Sequence, residues 1–510
     1  MAQLIPEQSR KTTRTGMRTL IVGAGTAGQA LARDLDRVAS FGLAPMGFLD
    51  DDPTTWRRRF RGHRVLGPLE QLGDVIESHA VEVVVLAIPT LDRAKLMALA
   101  AAAAGHGVST WHLPSFLAGL QRQIAGTDMR ALQVGSLIGR SEMHVVSKRA
   151  AASVTGKRVL VTGAGGSIGS ELCRQLAAFS PETLVMLDHD ETNLHGLQLD
   201  VWGEANLDAT EVVVADIRDA ERINQVFRDQ RPDLVFHAAA LKHLPALERH
   251  PCEGVKSNVK GTENLVEAAI RHGAERFVLI STDKAANPTS VLGATKRLAE
   301  LVLDAHANRR TALCSVRFGN VLGSRGSLLH VLRDQLAKGK PVTITDPDAT
   351  RFFMTIEEAV GLVLEAARMA EPGATYVLDM GEPVRILDLC KNFASMLNVH
   401  DFDFEFTGLR PGEKLEEELF GYGEERVGTD HPRIWKTGAS EPVGGFDAGL
   451  HDLYDAAWHN RPGEVFECLE RLVPEYTSAD ASTERAQGGG RLSGAREREL
   501  VLAAPYPDDY

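Results

Sequence analysis

The chain has 510 residues, 44% apolar and 25% charged, and 56 basic against 69 acidic side chains give a formal charge of −13. That length allows about two to four domains with real cores, and the acidic balance argues against a general nucleic-acid partner. Five cysteines without CxxC spacing argue against a zinc site and fit a reducing compartment, while no apolar run is long enough to cross a membrane, the stretch 81–88 being short and carrying Glu82.

Residues 1–16 are polar and basic, lack the apolar core of a secretory signal, and are expected as a flexible leader of a cytoplasmic protein with no direct membrane insertion. A first α/β alternation follows over 17–140, with strands expected at 18–22, 46–49, 81–88 and 108–113 and an Ala- and Leu-rich helix at 91–104. Its loop VGAGTAGQAL sets Gly23, Gly25 and Gly28 at GxGxxG spacing, and Asp50, Asp51 and Asp52 follow the next strand. The strand at 81–88 ends in Pro89 and Thr90, so no catalytic cluster accompanies this loop. It reads as a regulatory or vestigial nucleotide-binding domain, with a purely structural role as the alternative. His63, His79 and His106 show no metal-ligand pattern, and no metal is expected.

Residues 141–155 read as a connector. A longer alternation occupies 156–476, with strands expected at 159–162, 183–187, 211–214, 234–236, 276–280 and 312–316, enough for one doubly wound sheet. From about residue 317 the pattern turns irregular and is expected to cover the substrate, with a helix at 356–369. The stretch 477–510, with three consecutive glycines and many charges, reads as a disordered tail. The expected fold class is α/β: two Rossmann-like doubly wound parallel-sheet domains, the second with a smaller substrate-binding portion at its C-terminal side.

The second glycine loop reads VLVTGAGGSIG over 159–169. Gly163 makes the turn, Gly166 lets a pyrophosphate approach the backbone, and Gly169 lets the helix pack on the sheet. The helix opening near Ser167 aims free N–H groups at the phosphates. Asp188 closes the next strand, where a carboxylate accepts from the adenosine ribose hydroxyls and repels a 2′-phosphate, favouring NAD over NADP. Asp216 closes the third strand, placed to meet the adenine edge. Ile168, Ile217, Ala238 and Lys296 complete the expected cofactor-binding set. A glycine loop alone also serves as a bare strand–helix turn; the acids and the polar cluster downstream favour a bound dinucleotide.

That cluster is Ser281, Thr282, Asp283 and Lys284, at the end of the strand 277–280. Carboxyl ends of strands are where open α/β sheets bind ligands, and an acid beside an amine suits proton transfer. A break at Asn287, Pro288 and Thr289 precedes a helix that carries Leu292 and Lys296 on one face. An isolated Asp–Lys pair reads as a surface ion pair. Between a dinucleotide loop and this helix, Asp283 and Lys284 read as catalytic.

Over 156–420 the blocks TGAGGSIGSEL, HAAALKHLP, STDKAANPTSVLGATK, RFGNVLGSRGS, TRFFMTIEEAV and LRPGEKLEEEL resemble the extended short-chain dehydrogenase/reductase superfamily, and within it the NDP-sugar 4,6-dehydratases of polysaccharide biosynthesis, UDP-N-acetylglucosamine 4,6-dehydratases above all. Long members of that family carry transmembrane helices and a first nucleotide-binding domain, and this chain resembles them without the membrane part. Most of the superfamily has Tyr where Leu292 stands; the long dehydratases usually have an apolar Met there, so Leu292 fits that branch. The 4-hydroxyl proton then falls to Asp283 or to a water held by Thr282 and Lys296.

The resemblance implies a redox-neutral dehydration. NAD takes hydride from C4 of the sugar, the resulting ketone acidifies the C5 proton, Lys284 removes it, Asp283 protonates the departing C6 hydroxyl, and hydride returns to C6. Lys284 must then be neutral and Asp283 protonated, so each needs a shifted pKa. Thr282 would bind the 4-oxygen and Lys296 the nicotinamide ribose. Arg325 and Arg410 suit the diphosphate, Glu413 the ribose, Asn320 phosphate or sugar oxygens, and Lys242 and His243 the sugar. Arg351 reads as fixing the cap against the core. The expected activity is NAD-dependent dehydration of a UDP-N-acetylhexosamine by a homo-oligomer. A UDP-sugar 4-epimerase needs neither a C5 base nor a C6 acid. A non-catalytic sensor of NAD or UDP-sugar is kept open by Leu292.

Overall fold

The computed structural model describes residues 17–37, 43–88, 130–131, 146–206, 208–307, 310–324, 328–396, 399 and 401–477, with scattered positions between 95 and 112. The expected leader, most of the expected helix 91–104 and the expected tail from residue 478 lie outside the described residues.

The first sheet runs in the order Arg59–Phe60, His63–Gly67, Leu43–Leu49, Met17–Val22, Val83–Leu86, Ser109–His112, Arg130–Ala131. Its five middle strands are parallel and both edge pairs antiparallel. Side chains of the strand Met17–Val22 alternate between two layers, as the period of a strand requires. Ile21 joins Ala27, Leu31 and Leu35 of the helix Thr26–Arg37. Leu20 and Val22 join Leu72, Val75 and Ile76 of the helix Leu72–His79.

The second sheet has nine strands in the order Val212–Val214, Thr183–Asp188, Arg158–Thr162, Leu234–His237, Arg276–Ile280, Ala312–Arg317, Ala374–Leu378, Ile434–Thr437, Val427–Gly428. The first seven are parallel and the last two antiparallel. Val159 and Val161 pack with Leu172 and Leu176 of the helix Ser167–Ala177 and with Val360 and Val363 of the helix Ile356–Arg368. Leu160 faces the other way, onto Phe227, Leu265 and Val266. Helices on both faces make this a doubly wound sheet. Within the stretch 141–155, the helix Lys148–Ala152 starts from a Ser147 cap, and the Ser147 amide donates to Glu365 of the helix Ile356–Arg368.

The six strands expected up to residue 317 are all present. The region beyond is only in part a cover. Ala374–Leu378 returns to the central sheet as a seventh parallel strand, and Ile434–Thr437 and Val427–Gly428 extend it. A strand buried on both faces carries no alternation, so Ala374–Leu378 gives no period-two signal. The smaller cap has its own core, where Leu329, Leu332 and Leu336 of the helix Leu328–Ala337 meet Leu389, Cys390 and Phe393 of the helix Ile386–Met396. The helices Phe446–Trp458 and Pro462–Leu472 pack against the helix Val291–Ala305, the one that carries Leu292 and Lys296. Among the described residues no helix is long and apolar enough to cross a membrane, and no group of His, Cys, Asp or Glu could hold a metal ion.

Candidate active site

The order of the second sheet reverses between Arg158–Thr162 and Leu234–His237, and open α/β sheets bind ligands at such a switch point, outside the carboxyl ends of the strands. Gly163 turns the chain at φ +67°, and a Cβ on it would lie 2.6 Å from the Ala239 nitrogen. A Cβ on Gly169 would lie 2.0 Å from the Gly163 oxygen, so the helix meets the loop only through a glycine. Gly166 caps the helix Ser167–Ala177, with Ser167 and Ile168 in its first turn. Asp188 is buried, and its Oδ2 accepts from the Gly165 amide at 2.9 Å, at the rim of the loop. The Ala238 amide donates to Thr162 O at 3.1 Å, and Ile217 is buried against Gly261. Asp216 stays partly exposed and is engaged by Arg218: its two oxygens accept from Nε at 3.0 and 2.9 Å and from Nη2 at 2.6 Å. Burial pushes the Asp216 carboxyl up and the Arg218 hydrogen bonds outweigh it, leaving it below its usual range. Arg218 also holds Glu253 at 3.0 Å, a partner the sequence did not flag.

The proton-transfer cluster stands on the next strand. Thr282 caps a turn at Asp283–Ala285 and donates to Asp283 Oδ1 at 2.9 Å. Lys284 Nζ donates to Asp283 Oδ1 at 2.9 Å and to Asn320 Oδ1 at 3.1 Å, and stands 3.5 Å from Glu417 Oε1. The Lys284 side chain is 19% exposed, while those of Asp283 and Glu417 are 0% and 4% exposed. Lys284 is thus the outward member of the group, with the two carboxylates behind it. The expectation of a neutral Lys284 does not hold in this state. Burial alone would lower its pKa, but the charges of Asp283 and Glu417 raise it above the ordinary lysine value. Glu417 moves up, through burial first and the nearby Asp283 charge second, against the pull of Lys284, Arg351 and Lys414.

Lys296 Nζ donates to Ile280 O at 2.7 Å, and burial lowers its pKa to about 8 against the pull of Glu300. Leu292 is buried among Leu247, Val255, Leu298 and Phe446. An apolar neighbourhood thus takes the position that most of the superfamily gives to tyrosine. His237, fully buried between Thr162 (2.7 Å) and Thr262 (2.9 Å), is held neutral by burial and by the charge of Lys296.

The residues expected to hold the substrate are spread more widely. Asn320 joins the cluster. Lys242 and His243 are exposed on the loop after Leu234–His237. Asn258 pins that loop, exchanging hydrogen bonds with both backbone groups of Leu241 (2.9 and 3.0 Å) and donating to Thr295 (3.1 Å). It lies in a π-helical turn, Val255–Lys260, of the kind that recurs at functional sites. Arg410 is exposed, and its amide donates to Glu413 at 3.2 Å. Arg325 lies outside the described residues. Glu413 is held by the buried Arg351 at 2.8 Å, and Arg351 also donates to the Thr350 and Leu415 carbonyls. Arg351 therefore ties the segment 409–417 to the strand Thr350–Arg351.

Two groups escaped the sequence reading. Glu417 sits in LRPGEKLEEEL among four glutamates, and nothing in the string marks the one that folds inward. Arg317, fully buried, bridges Glu300 and Glu424 with four hydrogen bonds of 2.6–2.9 Å. Glu300 also accepts from Ser281 at 2.7 Å, so this network braces the strand end that carries Thr282 and Asp283.

The first glycine loop repeats the geometry of the second. Gly23 has φ +103°, a Cβ on Gly28 would lie 1.9 Å from the Gly23 oxygen, and Asp50 Oδ2 accepts from the Ala24 amide at 2.6 Å. Asp51 and Asp52 have local duties. Asp51 pairs with Lys95 and accepts from the Leu69 amide, and Asp52 caps the turn Pro53–Thr55. No cluster like that of Asp283 and Lys284 stands beside this loop among the described residues.

Residues 159–438 match the model of the polysaccharide biosynthesis protein family. The chain belongs to that family. Residues 4–114 match a model described as a CoA-binding domain. The chain is 39% identical over 440 residues to a probable polysaccharide biosynthesis protein, EpsC, of Bacillus subtilis, covering 85% of this chain and 73% of that one. Over 268 residues it is 32% identical to a UDP-N-acetylglucosamine 4,6-dehydratase (inverting) of Campylobacter jejuni, covering 51% and 77%. The X-ray structure of Pen from Bacillus thuringiensis aligns with a TM-score of 0.53 at 31% identity, covering 56% of this chain and 91% of that one. Sugar-nucleotide epimerases stand beside dehydratases among the relatives of this stretch. The family member described here is a sugar-nucleotide-modifying enzyme of the short-chain dehydrogenase/reductase superfamily.

Proposed function

We propose that the protein is an NAD-dependent 4,6-dehydratase of a UDP-N-acetylhexosamine, UDP-N-acetylglucosamine first, serving glycan synthesis. The observation that carries the reading is the partly exposed amine of Lys284 at the carboxyl end of the strand Arg276–Ile280, held 2.9 Å from the fully buried Asp283. A 4-epimerase has no use for that pair, because it removes no C5 proton and expels no hydroxyl.

The residues present fit a dinucleotide. Gly163 and Gly169 leave a cradle that side chains would fill, and Asp188 stands at its rim with its charge against a 2′-phosphate. Bound there, NAD supplies an acceptor for the C4 hydride and a donor of the same hydride to C6. Everything else falls to the protein. Lys296 adds positive charge beside the nicotinamide ribose. Thr282 binds the 4-oxygen and draws electron density from it as the ketone forms. Lys284 takes the C5 proton, now acidified by the ketone. Asp283 is enclosed and reaches the sugar through Thr282. Through Thr282, the Asp283 carboxylate takes the 4-hydroxyl proton as hydride leaves C4, and gives that proton by the same route to the departing C6 hydroxyl. Arg410, with Arg325, serves the diphosphate.

Incubation with UDP-N-acetylglucosamine tests the reading by mass. Loss of one water supports it. An isobaric product supports the epimerase, and unchanged substrate supports the sensor. The N-terminal unit is read as a nucleotide-binding regulatory element on the strength of Asp50 and its glycine loop.

A further inference from the structure

We propose that Glu417 is the proton acceptor that frees Lys284 to act as a base, a relay partner standing behind the lysine rather than against the sugar. This rests on the dehydratase reading above.

A base must be neutral before it takes a proton, and Lys284 is flanked by two carboxylates that hold its proton on. Asp283 is 2.9 Å away on one side and Glu417 3.5 Å away on the other. Asp283 Oδ1 already accepts from Thr282 and Lys284, while its Oδ2 is buried without a hydrogen-bond partner. Glu417 has a lighter load. Its Oε1 meets Lys284 at 3.5 Å and Arg351 Nε at 3.9 Å, and its Oε2 is buried without a hydrogen-bond partner. A buried carboxylate oxygen left in that state is a place where a proton can sit. The charged groups facing Glu417 are Lys284, Asp283, Arg351 and Lys414, and burial with the Asp283 charge prevails, holding its pKa up.

A pyranose closing over Lys284 removes the water that still reaches its amine. Loss of water disfavours ammonium and carboxylate alike. The proton then moves inward: an N–H bond of Lys284 breaks, an O–H bond of Glu417 forms, and two opposite charges disappear together. The neutral amine takes the C5 proton as the C5–H bond breaks. Once C6 has received its hydride, Lys284 returns a proton to C5, and Glu417 gives its own back to Lys284 when water re-enters. The protein finishes with the protons it began with.

The test pairs Glu417→Gln with Glu417→Asp, using UDP-N-acetylglucosamine and NAD in deuterated buffer. In Glu417→Gln, oxidation at C4 persists and reduced nicotinamide accumulates, while exchange at C5 and loss of water slow by roughly 10²-fold or more. The rate recovers at alkaline pH, by about tenfold per pH unit, as Lys284 loses its proton to solvent. Glu417→Asp keeps a carboxylate and recovers much of the neutral-pH rate. A Glu417→Gln enzyme with the wild-type rate and pH profile overturns the proposal. So does one that loses C4 oxidation and C5 exchange together at every pH and is not rescued by Asp. Should Glu417→Gln fail to fold, Glu417→Met takes its place: a slowed C5 exchange with normal C4 oxidation supports the relay, and a wild-type exchange rate sinks it. Wild-type protein that removes no water fails the dehydratase reading itself, whereas wild-type dehydration with an unaffected Glu417→Gln fails only the relay.

Discussion

Replacing Arg317 by methionine should destabilise the second sheet far more than an ordinary side-chain loss. Arg317 is fully buried and holds Glu300 at 2.8 and 2.6 Å and Glu424 at 2.7 and 2.9 Å. Removing one partner of a buried ion pair costs about 3–5 kcal/mol, because the other charge stays behind. Here the remaining carboxylates keep some company. Glu300 retains Ser281 at 2.7 Å and Arg297 at 3.2 Å, and Glu424 retains the Gly421 amide at 2.7 Å. The cost should therefore sit at the lower end, about 3 kcal/mol. At about 2 °C per kcal/mol for a unit of this size, calorimetry should find the melting transition lowered by roughly 6 °C. Adding Glu300→Gln to Arg317→Met should recover part of the loss, since the stranded charge goes with it. A fall of less than about 1 kcal/mol, or a double variant weaker than the sum of the singles, would show that the network holds the site by some other means.

Three further outcomes follow from the site. Asp188→Asn keeps the acceptor for the Gly165 amide but removes the charge, so the preference for NAD over NADP, read by equilibrium titration of both, should shrink by about tenfold; an unchanged ratio would dismiss Asp188 as the discriminator. Lys284→Ala should lose turnover while still binding the dinucleotide, and retained activity would remove Lys284 as the C5 base. Asp304 accepts from the Ser440 amide at 3.0 Å, and burial, helped by Glu300 and opposed by that hydrogen bond and by Arg297 and Arg317, raises it to about 7. Its folded pKa lies above the unfolded value, so the stability it contributes is full at acid pH and fades as pH climbs from about 4 through about 7. Asp304→Asn should flatten that part of the pH–stability curve, and a variant with the wild-type slope would refute the assignment.

Much of the fold was legible because glycines and buried strands obey local rules. The turn at Gly163 needs φ +67°, Gly169 cannot carry a Cβ, and the strand 276–280 ends in a string of polar residues. The cluster of Thr282, Asp283 and Lys284 was readable for the same reason: its members are neighbours in sequence. What stayed hidden came from distant segments. Glu417 reaches Lys284 only after the cap folds back, Arg317 finds Glu424 across more than a hundred residues, and Ala374–Leu378 is a uniformly buried strand without periodic signal. The charge state of Lys284 was misjudged on that account. One neighbouring acid was visible in the string, and the second was not.

The most direct measurement follows one hydrogen. UDP-N-acetylglucosamine carrying deuterium at C4 is given to the protein, and the product is examined by mass spectrometry and NMR. The account expects a 4-keto sugar lighter by one water, with the deuterium now in the C6 methyl group of the same molecule. A product of unchanged mass, or a dehydrated product whose C4 label has washed into solvent, would contradict it.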